Sequence, residues 1–215
     1  MLAIWKREVR AYFTNVTGWI FIGAFLFLFN LYFYVYNLSY GYPYVAYPLS
    51  SVTFIFLILV PVLTMRILAE DRRQKTDQML FTSPVSVVKI VISKFLSMVT
   101  IFSIVMGVVC LCPLFLSSFG TVPMAESYVA ILGTWLFGVL SIAVGLFVSS
   151  LTENQVISAI LTFAFLFLGY MMDSICGLIS SEGNLLTKVL NCLSTTAYVD
   201  NFFAGVFDIK GLIYF

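Results

Sequence analysis

The charges in this sequence fall into a few short stretches separated by long runs that carry none, and that segregation admits few folds. Residues 66–94, RILAEDRRQKTDQMLFTSPVSVVKIVISK, hold six of the eleven Lys and Arg residues (Arg66, Arg72, Arg73, Lys75, Lys89, Lys94) and three of the ten acids (Glu70, Asp71, Asp77). On either side lie uncharged runs long enough to cross a hydrocarbon core about 30 Å thick. A polar stretch between two such runs cannot sit in hydrocarbon. It is expected on one face of a membrane, as a loop or surface helix.

Composition agrees. The chain is 61% hydrophobic and 10% charged, with mean hydropathy +1.05, whereas soluble domains are about 25% charged. The expected class is an all-α polytopic membrane protein. Four cysteines (Cys110, Cys112, Cys176, Cys192) are too scattered for a disulfide framework, and the first two lie in an apolar run, where CxC reads as packing. Histidine is absent, which removes the commonest metal ligand and the usual proton shuttle.

Residues 1–15, MLAIWKREVRAYFTN, place Leu2, Ile4, Trp5, Val9, Tyr12 and Phe13 at roughly helical spacing, with Lys6, Arg7, Glu8 and Arg10 on the other side. That pattern predicts an amphipathic helix in the interface, its basic face toward anionic head groups. It lacks the apolar core and small-residue cleavage site of a signal peptide. Five spans are expected, at about 17–38, 49–68, 95–116, 128–148 and 155–172. Pro61 should bend the second. Seven tyrosines between Tyr32 and Tyr47 follow the first, read as an interfacial aromatic belt or a substrate-stacking surface. In the fourth span Gly138, Ser141, Gly145 and Ser149 make a smooth strip for close helix packing.

Residues 173–210 mix Asp173, Glu182, Asp200 and Asp208 with glycines and intermittent apolar positions. They predict short amphipathic helices that cap or re-enter the bundle. The terminal GLIYF begins a new apolar run, so a sixth span is expected to begin near residue 211. Because Lys and Arg concentrate in residues 1–15 and 66–94, both are expected on the cytoplasmic side, with 173–210 outside. Of the sequons at Asn15 and Asn37, the first is then cytoplasmic.

No expected span interior contains Asp, Glu, Lys or Arg, which argues against an ion-coupled carrier. No catalytic pair stands out, and no P-loop occurs. Energy, if used, comes from another chain. The 66–94 segment is then expected to continue the second span as a charged helix, break at Ser83-Pro84, and resume from about Val87 with Ser86 as cap. It reads either as a solvated loop or, given Met79, Leu80 and Phe81 beside mixed charge, as a docking surface for a cytoplasmic partner.

The segment PVLTMRILAEDRRQKTDQMLFTSPVSVVKIVISKF resembles the second-span, loop and third-span region of ABC type-2 transporter permeases. Pro61, Met65, Arg66, Glu70, Thr76, Leu80, Pro84, Val85, Ser86 and Lys94 match the family pattern, and Asp71 stands for its second acid. Lys75, Gln78 and Ser93 depart from it, where Gly, Glu and Gly are usual. WKREVRAYFTNVTGWI is similar to the family's N-terminal interfacial helix, and LSTTAYVDNFFAGVFDIKGLIYF to its external segment before the last span, including the Gly205-Val206-Phe207-Asp208 step. Within the family the chain looks most like gliding-motility-associated and related export permeases of bacteria.

The resemblance implies one transmembrane domain over 1–215 in a bacterial inner membrane, forming a homodimer or heterodimer and binding a separate ABC ATPase. It implies no cofactor on this chain, with ATP and Mg held by the partner, and no nucleic acid. Coupling would fall to Arg66, Glu70, Asp71, Arg72, Arg73, Thr76, Leu80 and Pro84, and to Trp5, Lys6, Arg7 and Arg10 of the interfacial helix. Tyr198, Asn201, Phe202 and Gly205 would belong to an external gate. A non-transporting membrane scaffold and an ion-coupled secondary carrier are the rival readings.

Overall fold

The computed structural model describes residues 2–69, 86–179, 196–207 and 209–214. The described residues are helical with short connections and contain no strand. The helices are α1 (Leu2–Thr14), α2 (Val16–Phe33, extended by a π-helical turn over Tyr34–Ser39), α3 (Ala46–Thr64), α4 (Val87–Val109), α5 (Cys112–Ser117), α6 (Met124–Leu151), α7 (Gln155–Ile179), α8 (Thr196–Phe203) and α9 (Ile209–Tyr214). Five segments are long and apolar enough to cross a membrane: Val16–Ser39, Ala46–Thr64, Val87–Ser117, Met124–Leu151 and Gln155–Met172. The chain is a multi-pass α-helical membrane protein, as its hydropathy requires.

α3 is the centre of the bundle. It packs against α2, α6 and α7, while α6 also touches α4, α7 and α8. α2 presents Phe21, Phe25, Phe29 and Phe33 inward, one per turn, as a buried stack with ring centroids 6.1–6.4 Å apart. Phe56 of α3 meets Phe25, Phe102 and Phe137 at 5.1, 5.5 and 6.0 Å, so a single ring joins four helices. The four-residue phenylalanine spacing is plain in the sequence but does not distinguish a buried stack from a lipid-facing one.

Glycine sets the tight approaches. A Cβ at Gly138 would overlap the Phe102 ring, and one at Gly145 would overlap Thr64, so the small-residue strip of α6 packs as expected. Gly18 allows the α1–α2 corner, where an added Cβ would sit 2.5 Å from the Tyr12 carbonyl oxygen. Trp19 Nε1 closes that corner by donating to the Phe13 carbonyl at 2.8 Å.

Several boundaries differ from the sequence reading. α4 begins at Val87, so Lys94 lies inside the third span rather than just before it. α7 runs past the expected end of the fifth span to Ile179. Ser86 precedes α4 as expected but makes no side-chain cap; its backbone carbonyl accepts from the Lys89 and Ile90 amides instead. Asn37 is buried, its Nδ2 donating to the Tyr42 and Tyr44 carbonyls, so that sequon is not open to a glycan. The tyrosines stack on one another around Tyr47, which contacts Tyr36, Tyr42 and Tyr44. Cys110 and Cys112 are half-buried against the core, which fits their reading as packing residues. A helix begins at Ile209, close to where a further apolar helix was expected.

Candidate functional site

The second span does not continue unbroken into the charged segment. α3 ends at Thr64, residues 65–68 form turns, and helix resumes at Ala69. Pro61 has no amide hydrogen and cannot bond the Leu57 carbonyl before it, but its own carbonyl still accepts from the Met65 amide at 2.8 Å, so the ladder breaks after Met65. Thr64 turns its hydroxyl back to the Val60 carbonyl at 3.0 Å. The Ile67 amide bonds the Thr64 carbonyl, three residues back, in the tighter 3₁₀ pattern. Backbone groups that an α-helix would pair internally are thereby released.

Four other helices take them up or tie the turn from its side chains. Tyr12 of α1 donates its hydroxyl to the Leu63 carbonyl at 2.9 Å. Ser149, the last small residue of the α6 strip, accepts from the Leu68 and Ala69 amides at 3.3 and 3.2 Å. Lys94 of α4 donates its Nζ to the Ile67 carbonyl at 3.0 Å. Arg66 donates to the Thr17 hydroxyl of α2 at 3.3 Å. The exit of the second span is therefore collared by α1, α2, α4 and α6, and the expected continuous lever is interrupted at its base.

Lys94 lies within α4 and is buried, where the sequence reading placed it at the end of the polar segment. Its side chain is 1% exposed, and Nζ lies 3.5 Å from Glu8 Oε1, itself 13% exposed. A buried ammonium is tolerable only when paired and hydrogen-bonded, and the carboxylate and carbonyl supply both. Glu8 was expected on the outer polar face of the interfacial helix with Lys6, Arg7 and Arg10. Those three are exposed, but Glu8 turns inward to the lysine while accepting from Arg7 at 2.7 Å. Trp5 reaches the same helix, donating to the Thr100 hydroxyl at 3.1 Å. A lone acid on a basic face is the sequence signal that could have found this pair.

Of the coupling residues expected from the sequence, Arg66 lies in the collar. Glu70, Asp71, Arg72, Arg73, Thr76, Leu80 and Pro84 fall outside the described residues. At the opposite end of the bundle, α8 packs on α6 and brings the expected gate residues together. Phe202 is fully buried, seated where Gly133 leaves room for it. Tyr198 stacks on Tyr214 with centroids 4.6 Å apart.

Gly205 terminates α8. It sits at φ +76, with its amide bonded to the Phe202 carbonyl and the Val206 amide to that of Asn201. This is the Schellman arrangement, which favours glycine. Gly205→Ala is expected to cost about 1–2 kcal/mol from the left-handed backbone alone, and its Cβ would lie 2.7 Å from the Glu126 side chain. The loss should register as a lower melting temperature in detergent and faster proteolysis after Phe203.

Among the described residues the chain is a bundle with five candidate spans in which the exit of the second is collared by four neighbouring helices. The family model described as "ABC-2 family transporter protein" matches residues 29–204, and the chain belongs to that family of ABC transporter membrane components. No curated protein and no solved structure gives a significant match.

Proposed function

We propose that this chain is the transmembrane permease of an ABC exporter, pairing with a second permease and driven by a separate ATPase that docks on residues 66–94 and on the exposed basic face of α1. What carries the reading, beyond family membership, is that α1 and both ends of the 66–94 connection meet at one end of the bundle and are tied by buried polar bonds. A connection anchored in this way can pass a displacement into the spans, whereas a loosely rooted one would absorb it. ATP and Mg would be held by the partner.

In this reading Glu70, Asp71, Arg72, Arg73, Thr76, Leu80 and Pro84 contact the ATPase, with Arg66 at the base. The α1 end of the bundle, with the N-terminus, faces the cytoplasm of a bacterial inner membrane. The α8 segment with Tyr198, Asn201, Phe202 and Gly205 lies outside and gates the exit. The likeness to gliding-motility-associated and related export permeases supports outward transport.

The test is a pull-down of the full-length chain from native membranes, with the co-purifying proteins identified by mass spectrometry. A P-loop ATPase should accompany the wild type, and Arg72→Glu with Arg73→Glu should lower its recovery by at least about tenfold. No ATPase in several mild detergents would move the scaffold and secondary-carrier readings ahead. Undiminished recovery with the double variant would remove the two arginines from the docking surface.

A further inference from the structure

The 66–94 connection has two legs, one leaving the second span and one entering the third. Separate legs would let a partner move one span without the other. The structure holds a cross-tie between them: Lys94, on the entering leg, donates to the Ile67 carbonyl on the leaving leg across a sequence separation of 27 residues. The same ammonium pairs with Glu8 of α1. Three elements that the proposed ATPase would touch therefore converge on one nitrogen.

The site is built for this. The Ile67 carbonyl lies in the turn over residues 65–68 and accepts from Lys94. Ile67 is itself 5% exposed, and Ala69 beside it is fully buried. Among the described residues Glu8 is the acid that faces the ammonium, carried there by the inward turn of an otherwise basic helix. Separating the pair takes the Glu8 carboxylate away from an ammonium that is 1% exposed, which is costly on the lysine side, whereas Glu8 keeps its bond to Arg7.

We propose that Lys94 is a positioning residue that locks α1 and the two legs of the 66–94 connection into one moving body, so that a displacement imposed on any of them reaches the second and third spans together. This rests on the exporter reading for the source of the displacement. The lock itself does not.

Two measurements separate these. The first uses the full-length chain alone in detergent and compares melting temperatures of wild type, Glu8→Gln, Lys94→Met and the double variant. A shared lock predicts that Glu8→Gln lowers the melting temperature in wild type and adds less than about half that shift in the Lys94→Met background. Fully additive shifts would show that the two residues do not act together, and would overturn the proposal whether or not an ATPase exists.

The second measurement uses the complex with its co-purified ATPase in nanodiscs. Amide hydrogen exchange is followed with and without Mg·ATP and vanadate. In the wild type, trapping should change exchange in α1, in residues 63–69 and in residues 87–94 together. In Lys94→Met, with ATP hydrolysis retained, the response should survive in one leg and fall by at least about fivefold in the other. Lys94→Arg, which keeps the charge and the donors, should restore the joint response. A joint response that persists in Lys94→Met overturns the proposal. If Lys94→Met does not assemble, Glu8→Gln is read instead: it should uncouple α1 alone, and an undiminished α1 response would equally overturn it. Failure of the wild type to bring down an ATPase sinks the exporter reading and leaves the melting-temperature result to decide the lock.

Discussion

Gly145→Leu should leave a chain that inserts into the membrane but does not hold its bundle together. Gly145 faces Thr64, and even a single added carbon would overlap the Thr64 side chain. Thr64 is fully buried and cannot swing aside without giving up its bond to Val60. Nor can α3 retreat, since α2 and α7 pack against it as well as α6. Overpacking of a well-filled core costs about 1–3 kcal/mol, and leucine adds three carbons beyond the first. The expected result is loss of the monodisperse peak on size exclusion and a sharply lower melting temperature. Gly23→Leu is the control, because a Cβ there meets nothing within 4 Å. If both variants melted alike, the seam between α3 and α6 would not be where stability resides.

Phe56→Ala is the second large effect. The ring is fully buried and touches three other rings on α2, α4 and α6. In a soluble core such a truncation costs about 3–5 kcal/mol, part of it transfer out of water. Within hydrocarbon the transfer part shrinks, because lipid is as apolar as the neighbouring helices, and packing carries the remainder. Three aromatic contacts at about 0.5–1.5 kcal/mol each come to about 1.5–4.5 kcal/mol before the void left behind is counted. Titration with a denaturing detergent should show the shift. Phe165→Ala, at a ring 54% exposed on α7, should shift it by less than about 0.5 kcal/mol.

The five spans were legible because each is a run of apolar residues bounded by polar ones, and that requirement is imposed by lipid rather than by neighbouring helices. Their ends were less so. Lys94 reads as a boundary residue in the sequence, since a lysine normally stops a span. Among the described residues Glu8, eighty-six positions earlier, and the Ile67 carbonyl are the partners that make its burial tolerable. The break after Thr64 was hidden for the same reason. Arg66, Ile67 and Leu68 have ordinary helix propensity, and what ends the helix is a set of partners on α1, α2, α4 and α6. Ser149 looked like one more small residue on a packing strip. Its acceptor role depends on which amides α3 leaves exposed, and periodicity along α6 carries no trace of that. Gly205 was legible from the family pattern, and its backbone geometry supplies the reason for it.

The serine at the end of α6 also bears on how the molecule is made. It stands 80 positions downstream of Ala69, whose amide it receives. A chain synthesised from its amino end releases the second span well before Ser149 has left the ribosome. Until then the Leu68 and Ala69 amides must pair elsewhere, and the simplest alternative is the uninterrupted helix that the local sequence favours. The Leu68 and Ala69 amides reach this acceptor only once the fourth span has docked. A nascent chain halted before residue 149 should keep those two amides in helix bonds, on a second span that still carries its Pro61.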